Sequence, residues 1–216
     1  MFALGKIVRR AGLAALLGAG LLTPAWARST DDKAEVAKAE AYLNAIHTMR
    51  AHFVQINPSG DNLDGSFSLW RPGRLRLDYN PPSPVQVIAD GDSLIYYDKQ
   101  LKQVSYLDLD SSIAGVLVRD KVNLDGPDLK LLGISHSPDL LKITVTQRHD
   151  PSQGQITLIF TERPFALRQW KVIDAQGQET MVSLYNPEVG IALDKSLFTF
   201  VNPAMGKGPI TNMHMK

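Results

Sequence analysis

The 216-residue sequence contains no cysteine, so no disulfide framework and no thiolate metal site can hold it together or act in it. It also lacks an apolar run of the roughly 18 residues that a membrane-spanning helix needs. Neither charge is in excess, with 23 Lys and Arg against 22 Asp and Glu, and aromatics are few at 3 Trp, 6 Tyr and 7 Phe. What is present is a 44% hydrophobic composition, that of an ordinary globular domain, which excludes collagen-like and disordered classes.

Residues 1 to 27 have the pattern of a secretory leader. Lys6, Arg9 and Arg10 precede an apolar stretch from Ala11 to Leu22, and Ala25-Trp26-Ala27 forms a small-x-small cleavage site. Cleavage after Ala27 removes three cations and no anion, leaving 20 basic and 22 acidic residues in a single domain over 28–216. That balance, without a basic block, gives no support to a nucleic-acid or anionic-membrane partner. A lipid anchor at the cleavage site would need a cysteine, so the exported chain is expected free in a bacterial periplasm. About 189 residues held by packing alone suit one domain that buries roughly 70% of its unfolded surface.

The mature region opens on a helical pattern over 31–49, with Val36, Ala39, Leu43 and Ile46 on one face. The period then changes to two. Short β-rich runs cover Ala51–Ile56, Gly65–Trp70, Arg74–Tyr79, Val85–Ile88, Leu94–Tyr97 and Gln103–Leu107. Asp64-Gly65, Pro72-Gly73 and Asp90-Gly91 offer turn positions between them. A second helix is expected over Ser111–Val118 with Asp110 as its cap, followed by a polar stretch from Arg119 to Asp128. Four more strands are legible at Leu141–Gln147, Gln155–Thr161, Ala166–Ile173 and Glu179–Tyr185, and a last short one at Ser196–Val201. About ten strands with two helices predict a mainly β domain with some α, an incomplete antiparallel β-barrel whose open side is covered by helices.

Alternation places the inner face. Arg74, Arg76 and Asp78 share one parity and must face water, which turns Leu75, Leu77 and Tyr79 inward. In the preceding strand Phe67 and Leu69 are the apolar parity against Ser66 and Ser68, and Arg71 continues it just past the strand's end. A guanidinium with five donors at an apolar rim needs acceptors, and the last carbonyls of a covering helix are the nearest free ones. Arg71 is therefore a candidate latch for that helix. A solvated turn arginine, or one paired with Asp78 or Asp90, is the alternative. Ile113, Val116 and Leu117 form the apolar stripe of the candidate lid, in which Gly115 lowers helix stability by about 1 kcal/mol and suits a movable element.

The stretch GSFSLWRPGRLRLDYNPPSPVQVIAD from Gly65 to Asp90, with Gly91 after it, resembles the LolA family of periplasmic lipoprotein carriers. Phe53-Val54-Gln55 and the aromatic pair Tyr96-Tyr97 extend the similarity. The resemblance implies a half-barrel with a helical lid over a hydrophobic cavity that binds the acyl chains of lipoproteins. Phe53, Phe67, Leu69, Leu75, Leu77, Tyr79 and Val87 are then the lining, and Arg71 the lid latch. It further implies a non-enzymatic monomer without cofactor or metal, loaded by an inner-membrane ABC transporter of LolCDE type and unloaded at a LolB-like outer-membrane receptor. A lipoprotein-sensing or LolB-like receptor module with the same fold is the second reading, although neither a tether nor a second domain is evident.

Catalytic patterns carry little. Gly91-Asp92-Ser93-Leu94 spells the GDSL of a lipase and esterase family, yet that family's Asp-x-x-His is absent, with Thr211 three places before His214. The five histidines, His47, His52, His136, His149 and His214, have no ligand spacing, and Asp61 and Asp64 lack the later ligands of a calcium loop.

Overall fold

The parity of Arg74–Tyr79 is obeyed residue by residue. Leu75, Leu77 and Tyr79 are buried, whereas Arg74, Arg76 and Asp78 are half-exposed. The computed structural model describes residues 30–203 except residue 111; the leader at 1–27 and the chain end from 204 to 216 lie outside the described residues. An opening helix α1 (Thr30–Ala45) is followed by six meander strands: β1 (Thr48–Ile56), β2 (Asn62–Trp70), β3 (Arg74–Tyr79), β4 (Val85–Asp90), β5 (Ser93–Asp98) and β6 (Gln103–Asp108). After a crossing segment come β7 (Leu129–Ser137), β8 (Leu140–Gln147), β9 (Gly154–Glu162), β10 (Phe165–Asp174) and β11 (Glu179–Val189).

All eleven strands form one antiparallel sheet in the order β6-β5-β4-β3-β2-β1-β11-β10-β9-β8-β7. The first and last strands of the chain, β1 and β11, pair at its centre, while the consecutive strands β6 and β7 are its two open margins. The sheet is thus an unclosed barrel, and the chain must pass from one margin to the other between β6 and β7. That passage covers the concave face.

Several expectations are corrected. The leading helix stops at Ala45, short of residue 49, because β1 already starts at Thr48; its predicted stripe of Val36, Ala39, Leu43 and Ile46 is nonetheless buried. The second helix is a 3-10 turn over Ile113–Val118 capped by the Ser112 hydroxyl, which accepts from the Ala114 amide, and not by Asp110. The expected strand at Ser196–Val201 is another 3-10 turn, Lys195–Phe198, capped by Asp194. Gly65 lies within β2 and makes no turn, whereas Gly73 and Gly91 have φ of +77° and +123°. A Cβ at Gly65 would lie 2.0 Å from the Asp78 carbonyl oxygen and 2.9 Å from the Phe53 ring, so close approach accounts for this glycine. Strand β7 had no sequence counterpart.

The two sheet faces bury different things. The concave face, α1 and the crossing segment share one cluster that includes Phe53, Phe67, Leu75, Phe160 and Trp170. On the convex face, the closing turn packs on β3 and β4 and buries Phe198, with the Ile88–Ile95 cross-strand pair buried on the same side. Arg76 fixes that turn by donating to the Leu197 carbonyl at 2.8 Å. Arg76 also pairs with Asp78 at 2.5 Å; burial opposes ionisation of Asp78, but the bonds from Arg76 and Gln86 outweigh it and hold the carboxyl below its usual value.

Candidate functional site

The passage from β6 to β7 starts at Leu109 and runs through the 3-10 turn to Asp128. Leu109, Ile113, Val116, Leu117, Val118, Val122 and Leu124 are all buried along it. The stretch Arg119–Asp128, polar by composition, therefore inserts two apolar side chains into the interior. Residues of α1 make this possible. Asn44 meets both main-chain groups of Val122, its Nδ2 donating to the carbonyl at 3.0 Å and its Oδ1 accepting from the amide at 2.8 Å. Glu40 accepts from the Leu124 amide at 2.7 Å. Asn44→Ala is expected to cost about 1–3 kcal/mol, because it leaves a buried donor and acceptor unmet. Urea denaturation measures that loss, and amide exchange should show Val122 losing protection while β8 keeps its own.

Arg71 sits where the alternation puts it, at the end of β2 on the concave parity, and is 7% exposed. Its Nε donates to the Leu117 carbonyl at 2.9 Å, and its Nη1 donates to the Leu43 carbonyl. One guanidinium thus joins the last turn of α1 to the 3-10 turn of the crossing segment. Neighbouring main chain adds two further ties: the Arg71 amide donates to His47, and the Gly73 amide donates to Val118 at 2.7 Å. Burial lowers the Arg71 pKa from its ordinary value to about 10, which leaves it charged at neutral pH. Asp78 is engaged with Arg76 and Gln86, and Asp90 accepts from the Asp92 and Ser93 amides, so the described bonds of Arg71 go to main-chain carbonyls instead.

The seven candidate lining residues share the concave face through the register. Phe53 lies opposite Gly65, Phe67 opposite Leu77, Leu69 opposite Leu75, and Leu77 opposite Val87. Phe53 and Tyr79 meet edge to face at 5.0 Å. The Tyr79 hydroxyl donates to Gln55 at 2.7 Å, and burial pushes its phenol pKa well up. Six of the seven are buried, and Val87 is half-buried. Ile113, Val116 and Leu117 lie in the same cluster, so their side chains pack against the lining. A cavity of about 520 Å³ is lined by the crossing segment itself, at Gly115, Arg119 and Asp128, together with Gly73, Gly91 and Gln147.

Two signals were misread from sequence. Gly115 reads as a flexible helix position, but a Cβ there would lie 2.3 Å from the Leu109 carbonyl oxygen, so it is a point of close approach between two parts of the cover. Val122 and Leu124 were hidden in a charged run, where their apolar character at alternate positions was the available clue. Ser93 opens β5 in a hairpin, its amide bound to Asp90. Among the described residues no group of three or more His, Asp and Glu could hold a metal ion, and no helix is long and apolar enough to cross a membrane.

A family model described as outer membrane lipoprotein carrier protein LolA matches residues 44–201. An outer-membrane lipoprotein carrier protein from Legionella pneumophila (strain Paris) is 32% identical over 177 residues, covering 76% of this chain and 84% of its own length. One from Pseudomonas aeruginosa (strain UCBPP-PA14) is 28% identical, covering 92% of this chain and 96% of its own. Among solved structures, a DUF1329 family protein from Desulfovibrio piger superposes with a TM-score of 0.50 at 11% identity, over 78% of this chain and 96% of that one, a likeness of fold alone.

Proposed function

Since the chain belongs to the LolA family of outer-membrane lipoprotein carrier proteins, we propose that it carries lipoproteins by drawing their acyl chains onto its concave face as the crossing segment lifts. The observation that supports this most is Arg71: a buried cation at the rim of an apolar hollow, tied to carbonyls of both elements that cover it. Phe53, Phe67, Leu69, Leu75, Leu77, Tyr79 and Val87 receive the acyl chains, Ile113, Val116 and Leu117 are the lid stripe they displace, and Arg71 is the latch.

Magnitudes suit such an exchange. A sixteen-carbon chain bare in water is penalised by about 13 kcal/mol at roughly 0.8 kcal/mol per CH₂, so a lipoprotein needs a shielded route between membranes. Charge-assisted bonds of about 1.5–3 kcal/mol each are strong enough to keep an empty lid shut and weak enough to yield. The work is binding and release, with no covalent step, and its place is the periplasm. Loading falls to an inner-membrane ABC transporter of LolCDE type and unloading to a LolB-like receptor.

Mass spectrometry of the protein purified from its native periplasm tests the reading. Co-purified triacylated lipoprotein is the expected result. Hydrolysis of a model ester that disappears in Ser93→Ala would overturn it.

A further inference from the structure

The two margins of the open sheet are finished differently. At β7 the Leu129 carbonyl accepts from Arg148, the Leu131 amide donates to Asp125, and a bulge between Leu131 and Gly133 breaks the ladder. Lys130 adds charge there, so this edge is blunted against pairing. Strand β6 has no such bulge, and its charge is confined to the terminal Asp108. Its run Gln103-Val104-Ser105-Tyr106-Leu107 has no charged residue and pairs with β5 in unbroken register.

The register shows which groups are free. The Leu109 amide donates to the Asp92 carbonyl at 3.2 Å, which makes Ser93 and Asp108 a non-hydrogen-bonded pair. Alternation from there turns the main-chain groups of Gln103, Ser105 and Leu107 toward β5, and those of Val104 and Tyr106 outward. Among the described residues no backbone group meets these outward donors and acceptors.

The same strand continues the concave face. Leu107 lies opposite Leu94, Leu94 opposite Ala89, and Tyr96 opposite Val87. Leu107 is 57% and Tyr96 45% exposed, so this end of the apolar face stays uncovered while the lid is down. A ligand whose fatty part enters the hollow here brings whatever is attached to it alongside the β6 edge.

We propose that the β6 edge binds the peptide segment next to the acylated end of the cargo, as an added antiparallel or parallel strand held through the main-chain groups of Val104 and Tyr106. This rests on the acyl-binding reading above and extends it from the fatty chains to the polypeptide. The occupant is an extended, flexible peptide, because continuity with the concave face delivers that part of an acylated protein to this margin. Main-chain pairing ignores side chains, which suits a carrier whose cargoes share a lipid and differ in sequence.

Three synthetic probes separate the two readings: a triacylated cysteine amide, the same group followed by a ten-residue Ser/Gly/Ala peptide, and that peptide N-methylated at alternate residues. The full lipopeptide is expected to bind about tenfold more tightly than the other two, the gain of a few main-chain bonds. Amide exchange of the unaltered protein should show Val104 and Tyr106 protected by the full lipopeptide only. Val104→Pro, which removes an N–H that no strand uses, should abolish the tenfold gain and still bind the acylated cysteine amide. Equal affinity for all three probes with no protection at β6 overturns the edge site and leaves the acyl site standing; failure of all three to bind overturns the acyl reading itself. A concentration-dependent dimer that protects Val104 and Tyr106 without ligand would assign the edge to a second copy of the chain and overturn the proposal.

Discussion

Arg71→Leu folds, binds an acylated cargo more tightly than the parent, and fails to give it up. The reasoning starts from the two carbonyls. Leu117 and Leu43 lose charge-assisted donors of about 1.5–3 kcal/mol each, and part of that is returned because no guanidinium has to be desolvated. A net loss of about 2 kcal/mol in the closed, empty form shifts the balance toward the loaded form by roughly thirtyfold. Release of a fluorescent lipopeptide to an acceptor should slow by about that factor, since closure of the lid no longer competes with the chain. Arg71→Lys should fall between the two, because one ammonium cannot reach two carbonyls in the fixed fork that the guanidinium provides. Release at the parent rate in Arg71→Leu would remove this side chain from the hand-over.

Gly115→Ala should reach the same open form by the opposite route. A methyl placed 2.3 Å from the Leu109 carbonyl oxygen cannot be tolerated while the 3-10 turn is folded back on Leu109, so the substitution distorts the cover where Arg71→Leu removes its attachment. Overpacking of this kind costs about 1–3 kcal/mol. The sheet and α1 do not share the clash, so the loss falls on the closed cover. The expected readout is a several-fold rise in binding of an apolar dye to the empty protein, with far-ultraviolet circular dichroism unchanged. Combined with Arg71→Leu it should add little, because a cover already off the rim cannot be lifted twice. Full additivity in dye binding and stability would mean that the two positions act on separate events.

The legible parts of this molecule are those whose signal is local. Strand β3 could be placed to the residue because its charged and apolar sets never mix, and the reach of Arg71 into the rim followed from extending the parity of β2 by one step. Strand β7 escaped because its bulge at Leu131 to Gly133 shifts the register midway, so its apolar residues do not alternate. Val122 and Leu124 escaped for another reason: the groups that satisfy their backbone, Asn44 and Glu40, lie 78 and 84 residues away. Nothing near them in sequence announces the burial. The turn at Lys195–Phe198 looked like a strand since Leu197, Phe198 and Phe200 are β-rich and apolar, whereas the Asp194 carboxylate beside the Ser196 amide closes a tight turn instead. The alternation that marked the lining could not show whether the hollow is open or filled, because occupancy depends on the cover, an element with a different period.

The connection between the two sheet margins sets a mechanical bound. Because the cover is spliced at one end to β6 and at the other to β7, it behaves as a strap stitched at both hems. It can slacken and bulge outward, but it cannot swing free like a hinged door. Its travel is bounded by the lengths of chain at 109–112 before the 3-10 turn and 119–128 after it. Resealing after cargo leaves is then a short intramolecular search whose rate does not depend on how dilute the protein is. On the carrier reading proposed above, an emptied molecule shuts itself before its greasy interior can meet another.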